Sequence, residues 1–137
     1  MSGSLEVGAE VPALRITADA CSMMLITLIT GDPNPIHFDT GATARLGLGD
    51  RPVNQGAITM AYPINAVLAW LRPHWRVERV LVRFQGNVVA GDTVETGGTV
   101  VEVDHDPSGA RARIDVWARL ASGKVVLEGE VIVVEAG

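Results

Sequence analysis

At 137 residues the chain is the size of a single domain, and a hydrophobic content of 47% lets it build a core without a metal or disulfide staple. A net charge of −5 and an aromatic content of 4% exclude a nucleic-acid binder, which needs a basic surface or stacking rings. The single Cys21 excludes a disulfide scaffold. The opening MSGSLEVGAE has neither a basic n-region nor an apolar h-region, so no signal peptide is expected. The longest apolar stretch, Met23 to Ile29, is too short to span a bilayer, and the expectation is a cytoplasmic chain with no membrane or nucleic-acid partner. Fifteen glycines and seven prolines describe a turn-rich domain rather than a helical bundle, and leave open where so much apolar surface goes.

Val7 to Ile16 reads as a first strand, with Pro12 placing it at an edge or a bend. Thr17 is the expected N-cap of a helix from Ala18 to about Thr30 that Gly31 stops, with Asp19 favourable in its first turn. Asp32-Pro33-Asn34-Pro35-Ile36-His37 is a loop stiffened by two prolines. Residues 39 to 46 read as a short helix, and 51 to 56 as irregular. From Ala57 to Leu71 apolar residues cover nearly the whole circumference of a helix, which predicts burial on most sides, and Pro63 predicts a kink near Thr59. Strands follow. Val80, Val82 and Phe84 alternate with Arg79, Leu81 and Arg83, and a strand over 93 to 103 carries Gly97-Gly98, read as a bulge. Asp106-Pro107-Ser108-Gly109 turns the chain into a strand whose apolar face is Ala110, Ala112, Ile114, Val116, Ala118 and Leu120. Ser122-Gly123 leads to the last strand, Val125 to Val134. The expected fold is one α+β domain over residues 1–137: an antiparallel sheet curled around a long central helix, the hot-dog architecture.

The chemistry lies in the proline loop. Asp32 and His37 are five apart, too loose for one helix face, so a turn must bring a carboxylate and an imidazole together. Such a pair can hold one water and exchange protons with it, and Asn34 can bond the neighbouring backbone. Further on, Gln55-Gly56 opens the buried helix. A glycine there lets a ligand oxygen approach free N–H groups at the positive helix end, as an oxyanion next to a thioester carbonyl would require. Together the two elements imply proton transfer at carbon beside an activated carbonyl.

The run Thr30-Gly31-Asp32-Pro33-Asn34-Pro35-Ile36-His37-Phe38-Asp39 resembles the signature of the MaoC-like dehydratases, which include the (R)-specific enoyl-CoA hydratases. Pro52-Val53-Asn54-Gln55-Gly56 resembles that family's second segment. Val7-Gly8 with Pro12, and Val82-Arg83-Phe84 followed by Gly91-Asp92, also fall where such proteins have them, so the likeness spans nearly the whole chain. It implies that Asp32 and His37 are the catalytic dyad, adding water across a trans-2-enoyl thioester or eliminating it from the 3-hydroxyacyl form. It implies an oxyanion site at the Gly56 N–H, with Asn34 and Gln55 beside it as substrate-binding residues. No metal or redox cofactor is implied; CoA or an acyl carrier holds the substrate. The implied assembly is a homodimer or heterodimer of hot-dog chains, with the acyl tunnel at or near their interface. The sequence departs from the family pattern at Gln55, where many members have a titratable His, at Thr43, where Ala or Ser is expected, and at Pro63 in the central helix.

Competing readings stand beside these. Asp32, His37 and Asp39 could be read as metal ligands, but no further His or Cys lies near them. Alternatives behind the hydratase are an acyl thioesterase, a non-catalytic partner subunit, against which the retained dyad argues, and a dehydratase of a specialised biosynthetic intermediate. Cys21 reads as a buried small hydrophobe, Met23 and Met24 as core, and His74 and His105 as exposed residues near turns. Trp117 faces away from its strand's apolar side and is either interface or surface. Arg72, Arg76, Arg79 and Arg83 form the one basic concentration: a solvated strand face, or a contact for CoA phosphates or an acidic carrier surface.

Overall fold

The computed structural model describes residues 5–136; residues 1–4, which open the stretch read for a leader, and residue 137 lie outside the described residues. Five strands, β1 (Glu10–Thr17), β2 (Trp75–Phe84), β3 (Thr93–Asp106), β4 (Gly109–Leu120) and β5 (Val125–Glu135), form one antiparallel sheet in the order β1-β3-β4-β5-β2. Between β1 and β2 the chain makes α1 (Ala20–Thr30), a single 3-10 turn at Pro35–His37, α2 (Thr40–Arg45) and α3 (Gly56–Trp70). The sheet curls around α3, which touches all five strands, so the α+β hot-dog arrangement expected from the pattern is the one observed. No helix among the described residues is long and apolar enough to cross a membrane.

The alternation read in β4 is the packing seen: Ala112, Ile114, Val116 and Ala118 are buried. Val67, Trp70, Val100 and Val131 meet Ala112, Ile114 and Val116 to form one core cluster beneath α3, and Ala118 joins a second with Met23 and Tyr62. α3 itself differs from expectation. Only Thr59, Tyr62, Pro63, Ala66, Val67 and Trp70 are buried, a single face at three- and four-residue spacing, while Leu68 is 49% exposed. The sheet of one chain covers one side of the helix, and the apolar residues on the other side remain uncovered. The helix runs unbroken through Pro63.

Two local readings are corrected and one is refined. The N-cap of α1 is Asp19, not Thr17: the Ala18 amide donates to the Asp92 carbonyl and the Gly91 amide to the Ala18 carbonyl, which keeps the chain extended past Thr17. The irregularity read at Gly97-Gly98 is present on the β1 side, where the register slips between Val11, opposite Gly98, and Leu14, opposite Thr96; toward β4 both glycines stay in register opposite Trp117 and Val116, and a second irregularity falls between Val100 and Glu102. A Cβ on Gly98 would lie 2.6 Å from the Asp115 carbonyl oxygen and one on Gly97 2.9 Å from the Trp117 ring, so these glycines permit close approach. Trp117 thus lies over Gly97 on the outer face of the sheet, with the Arg119 guanidinium 4.4 Å from its ring centroid. Cys21 is exposed rather than buried, because α1 lies on the surface and turns only Met23 fully inward; Met24 is exposed as well. His74 and His105 are exposed, as read.

The α1 cap is pH-dependent. Asp19 accepts from the Ser22 amide at 2.8 Å and the Ser22 hydroxyl at 2.9 Å, and these bonds hold its carboxyl below the ordinary 3.8. A carboxyl lowered on folding adds stability above its unfolded value and loses it as pH falls through the lower folded one. Asn caps as well as Asp but does not titrate. Circular dichroism of the wild type is therefore expected to show helix signal lost below pH 3.8 more steeply than in Asp19→Asn.

Candidate active site

Gly31, at φ 67°, ends α1 in the left-handed conformation and turns the chain into the proline loop. There the Asp32 Oδ1 accepts from the Asn34 amide at 3.0 Å, the Asn34 Oδ1 accepts from the Ile36 amide at 3.3 Å, and Pro35 opens the 3-10 turn. This sequence of short-range bonds folds the loop back on itself and carries His37 to Asp32, with Nε2 3.3 Å from Oδ2. The two residues read as a dyad are thus neighbours. The His37 side chain is 9% exposed and that of Asp32 36%, so one partner is fixed in the protein and the other is open to a ligand.

His37 Nδ1 lies 2.7 Å from the Val53 carbonyl oxygen. A carbonyl can only accept, so Nδ1 carries a proton and Nε2 is the nitrogen that faces Asp32. The Val53 carbonyl is itself held from several sides. The Val53 amide donates to the Ile36 carbonyl, the Asn54 amide to the Val88 carbonyl and the Ala90 amide to the Pro52 carbonyl, with a bridge from Val53 to Val89.

Gly56 begins α3 two residues beyond that segment. The Ile58 and Thr59 amides both donate to the Gln55 carbonyl, while the Gly56 and Ala57 amides, at the positive end of the helix, have no acceptor among the described residues. A Cβ on Gly56 would lie 3.2 Å from Cζ of Phe84, whose ring, 50% exposed, flanks this helix start. Gln55 does not cap the helix with its side chain. Its buried Nε2 donates to the Met23 carbonyl at 2.7 Å and contacts Thr27 Oγ1 at 3.0 Å, tying the start of α3 to α1, and its Oε1 is buried without a partner. Asn34 is exposed, with its side-chain oxygen engaged by the loop. Asp39, considered above as a metal ligand, is the N-cap of α2, accepting from the Gly41 and Ala42 amides at 2.8 and 3.3 Å.

Sequence reasoning missed a buried polar network behind Gly56. The Asn54 Nδ2 donates to Thr59 Oγ1 at 3.0 Å and to the Tyr62 hydroxyl at 3.1 Å. Burial raises the Tyr62 phenol above its ordinary value, against the opposing bond from Asn54, so it remains a neutral hydroxyl at neutral pH. The three-residue spacing of Thr59 and Tyr62 on one helix face was the available signal. Removing a buried donor strands its acceptors at about 1–3 kcal/mol, so Asn54→Ala is expected to lower urea-unfolding stability by about 2 kcal/mol.

The family model for the MaoC-like domain matches residues 6–115, most of the chain. The chain belongs to the MaoC-like domain family. Among solved structures, this MaoC-like chain is similar to the R-hydratase PhaJ1 of Pseudomonas aeruginosa, at 23% identity over 96% of this chain and 82% of that one, TM-score 0.81. It is similar to protein af1124 of Archaeoglobus fulgidus, at 29% identity over 98% of this chain and 81% of that one, TM-score 0.81. It is also similar to a chain of the ChsH1–ChsH2 complex of Mycobacterium tuberculosis, at 22% identity over 95% of this chain and 98% of that one, TM-score 0.82. A search of curated proteins found no match. Five surface depressions in this MaoC-like chain, the largest of about 790 Å³ on the outer face of the sheet, include none lined by Asp32, His37 or Gly56.

Proposed function

We propose that this MaoC-like chain is a hydro-lyase that adds water to a trans-2-enoyl thioester, or removes it from the 3-hydroxyacyl thioester, with Asp32 and His37 as the acid/base pair. The observation that carries this is the 3.3 Å approach of Nε2 to Oδ2, with Nδ1 fixed by the Val53 carbonyl. A water held between the carboxylate and Nε2 gives up one proton to the pair as its oxygen bonds to C3 of the enoyl group. The electron pair of the double bond moves onto the thioester oxygen, and the Gly56 N–H at the helix start stabilises that oxygen as it becomes negative. One proton then returns from the pair to C2, so the elements of one water have been added and the dyad is restored. The chemistry calls for no metal or redox group. CoA or an acyl carrier serves as the handle of the substrate.

The acyl channel is read as completed by a second hot-dog chain. Supporting this are exposed apolar residues on the elements that carry and flank the dyad loop: Leu25, Leu28 and Ile29 on α1, Leu68 on α3 and Phe84 beside Gly56. The decisive assay incubates the purified chain with a trans-2-enoyl-CoA and follows loss of the conjugated absorbance, with a saturated acyl-CoA and a thiol reagent in parallel. Hydration without thiol release is the expected result. Thiol release from the saturated substrate would replace the reading with a thioesterase.

A further inference from the structure

The two members of the dyad are anchored differently. His37 is tied directly to the segment that leads into α3, by its Nδ1 on the Val53 carbonyl and by the Val53 amide on the Ile36 carbonyl. Asp32 has no such tie. It follows the end of α1 after Gly31, and among the described residues its side chain bonds only within its own loop and to His37. Where Asp32 stands relative to the Gly56 amide therefore depends on how α1 is held against the start of α3. The two helices do not meet backbone to backbone: no Cα of α1 comes within 8 Å of one in α3.

Among the described residues, the polar link between them is the Gln55 side chain. Its Nε2 donates to the Met23 carbonyl at 2.7 Å and to Thr27 Oγ1 at 3.0 Å, one turn further along α1, so both amide protons are spent on that helix. Oε1 is buried without a partner. The amide cannot be turned over to satisfy it, because Oε1 would then face a carbonyl that only accepts. The backbone of the same residue holds α3: its carbonyl accepts from the Ile58 and Thr59 amides at 3.0 and 3.1 Å, and the next amide along is that of Gly56.

As a source of stability this arrangement is poor. The stranded acceptor offsets the bonds made, and a methionine of similar length would fill the site, where Gln55 is 5% exposed, without stranding anything. What an apolar chain lacks is direction. Packing is non-directional, whereas two hydrogen bonds to successive turns fix both the height and the rotation of α1. We propose that Gln55 is a positioning residue, which sets the separation between Asp32 and the Gly56 amide by clamping α1 to the start of α3. The proposal rests on the hydro-lyase reading of the site. It replaces the substrate contact expected of Gln55, whose donor is spent on α1 and whose acceptor is buried. The clamp matters because the dyad and the oxyanion donor must reach one bound thioester together, and a misplacement of about 1 Å costs about 100-fold in rate.

Gln55→Met removes both bonds and the stranded acceptor; Thr27→Val removes one partner. In hydration of a trans-2-enoyl-CoA, Gln55→Met is expected to lower kcat at least ~10-fold while KM stays within about 2-fold, with the thermal melt close to that of the wild type. Both substitutions break the same link, so Thr27→Val is expected to add little in the Gln55→Met background. Independently of turnover, proton–nitrogen correlation spectra of Gln55→Met are expected to show the Gly31 and Asp32 amides shifted and the Ile36 and His37 amides in place. A Gln55→Met chain with the parent kcat would overturn the proposal, and so would Gly31 and Asp32 amides that do not move. A wild type without hydratase activity would count against the reaction proposed above, with the amide shifts still deciding the role of Gln55.

Discussion

Asp32→Asn and His37→Ala are each expected to lower kcat for enoyl-CoA hydration by at least ~100-fold, the lower end of what a positioned acid or base contributes. Asp32→Asn is the cleaner of the two. It keeps the side chain's shape and the oxygen that accepts from the Asn34 amide, so the proline loop stays folded, while the group that takes a proton from water is lost. Its KM is expected to change little and its melting temperature hardly at all, because the removed interaction matters in the transition state. His37→Ala removes a buried ring and leaves the Val53 carbonyl without its donor, so a stability loss of about 1–3 kcal/mol accompanies the loss of rate. Stopped-flow or steady-state absorbance with parallel thermal melts separates the two effects. If both variants kept the parent rate, the dyad assignment would be wrong.

Gly129→Ala is expected to be the most damaging conservative change in the sheet, lowering unfolding free energy in urea by about 3 kcal/mol. A Cβ there would lie 2.2 Å from the Leu81 carbonyl oxygen and 2.7 Å from the Val82 Cα. Both are backbone atoms of β2 and cannot swing aside as a side chain would, so β2 must part from β5. Gly86→Ala is the control, since its nearest atom is Lys124 Cε at 3.2 Å, the flexible end of an exposed side chain. Phe84 ends β2 and lies against Gly56, so a displaced β2 also moves the wall of the proposed oxyanion site, and kcat/KM is expected to fall with the urea midpoint.

The parts of the molecule legible in the sequence were those governed by short-range rules. Alternation along β4 fixed its buried face, Gly31 fixed the end of α1, and the Pro-Asn-Pro segment brought Asp32 to His37 through bonds spanning two or three residues. Readings that depended on what lies across the fold went astray. Thr17 lost the cap to Asp19 because β3's leading turn, at Gly91 and Asp92, holds Ala18 extended. Cys21 and Met24 were placed in a core that α1 enters only through Met23. The irregularity at Gly97 and Gly98 was legible, but the Trp117 ring and Asp115 carbonyl that press on them were not, since they come from across the sheet.

The opening composition therefore determined a good deal: one apolar, acidic, turn-rich domain, its α+β class, and a carboxylate–imidazole pair in a stiff loop. Only the tertiary structure decided which His37 nitrogen faces Asp32, since that depends on a backbone carbonyl sixteen residues away that any residue at position 53 would supply. It also decided where the surplus apolar surface goes. A helix that is apolar nearly all round has only one side covered by its own sheet, and the remaining side, with α1 and Phe84, stays exposed in the single chain. Hydrophobic periodicity reports that a residue avoids water, but it carries no information about which surface does the covering.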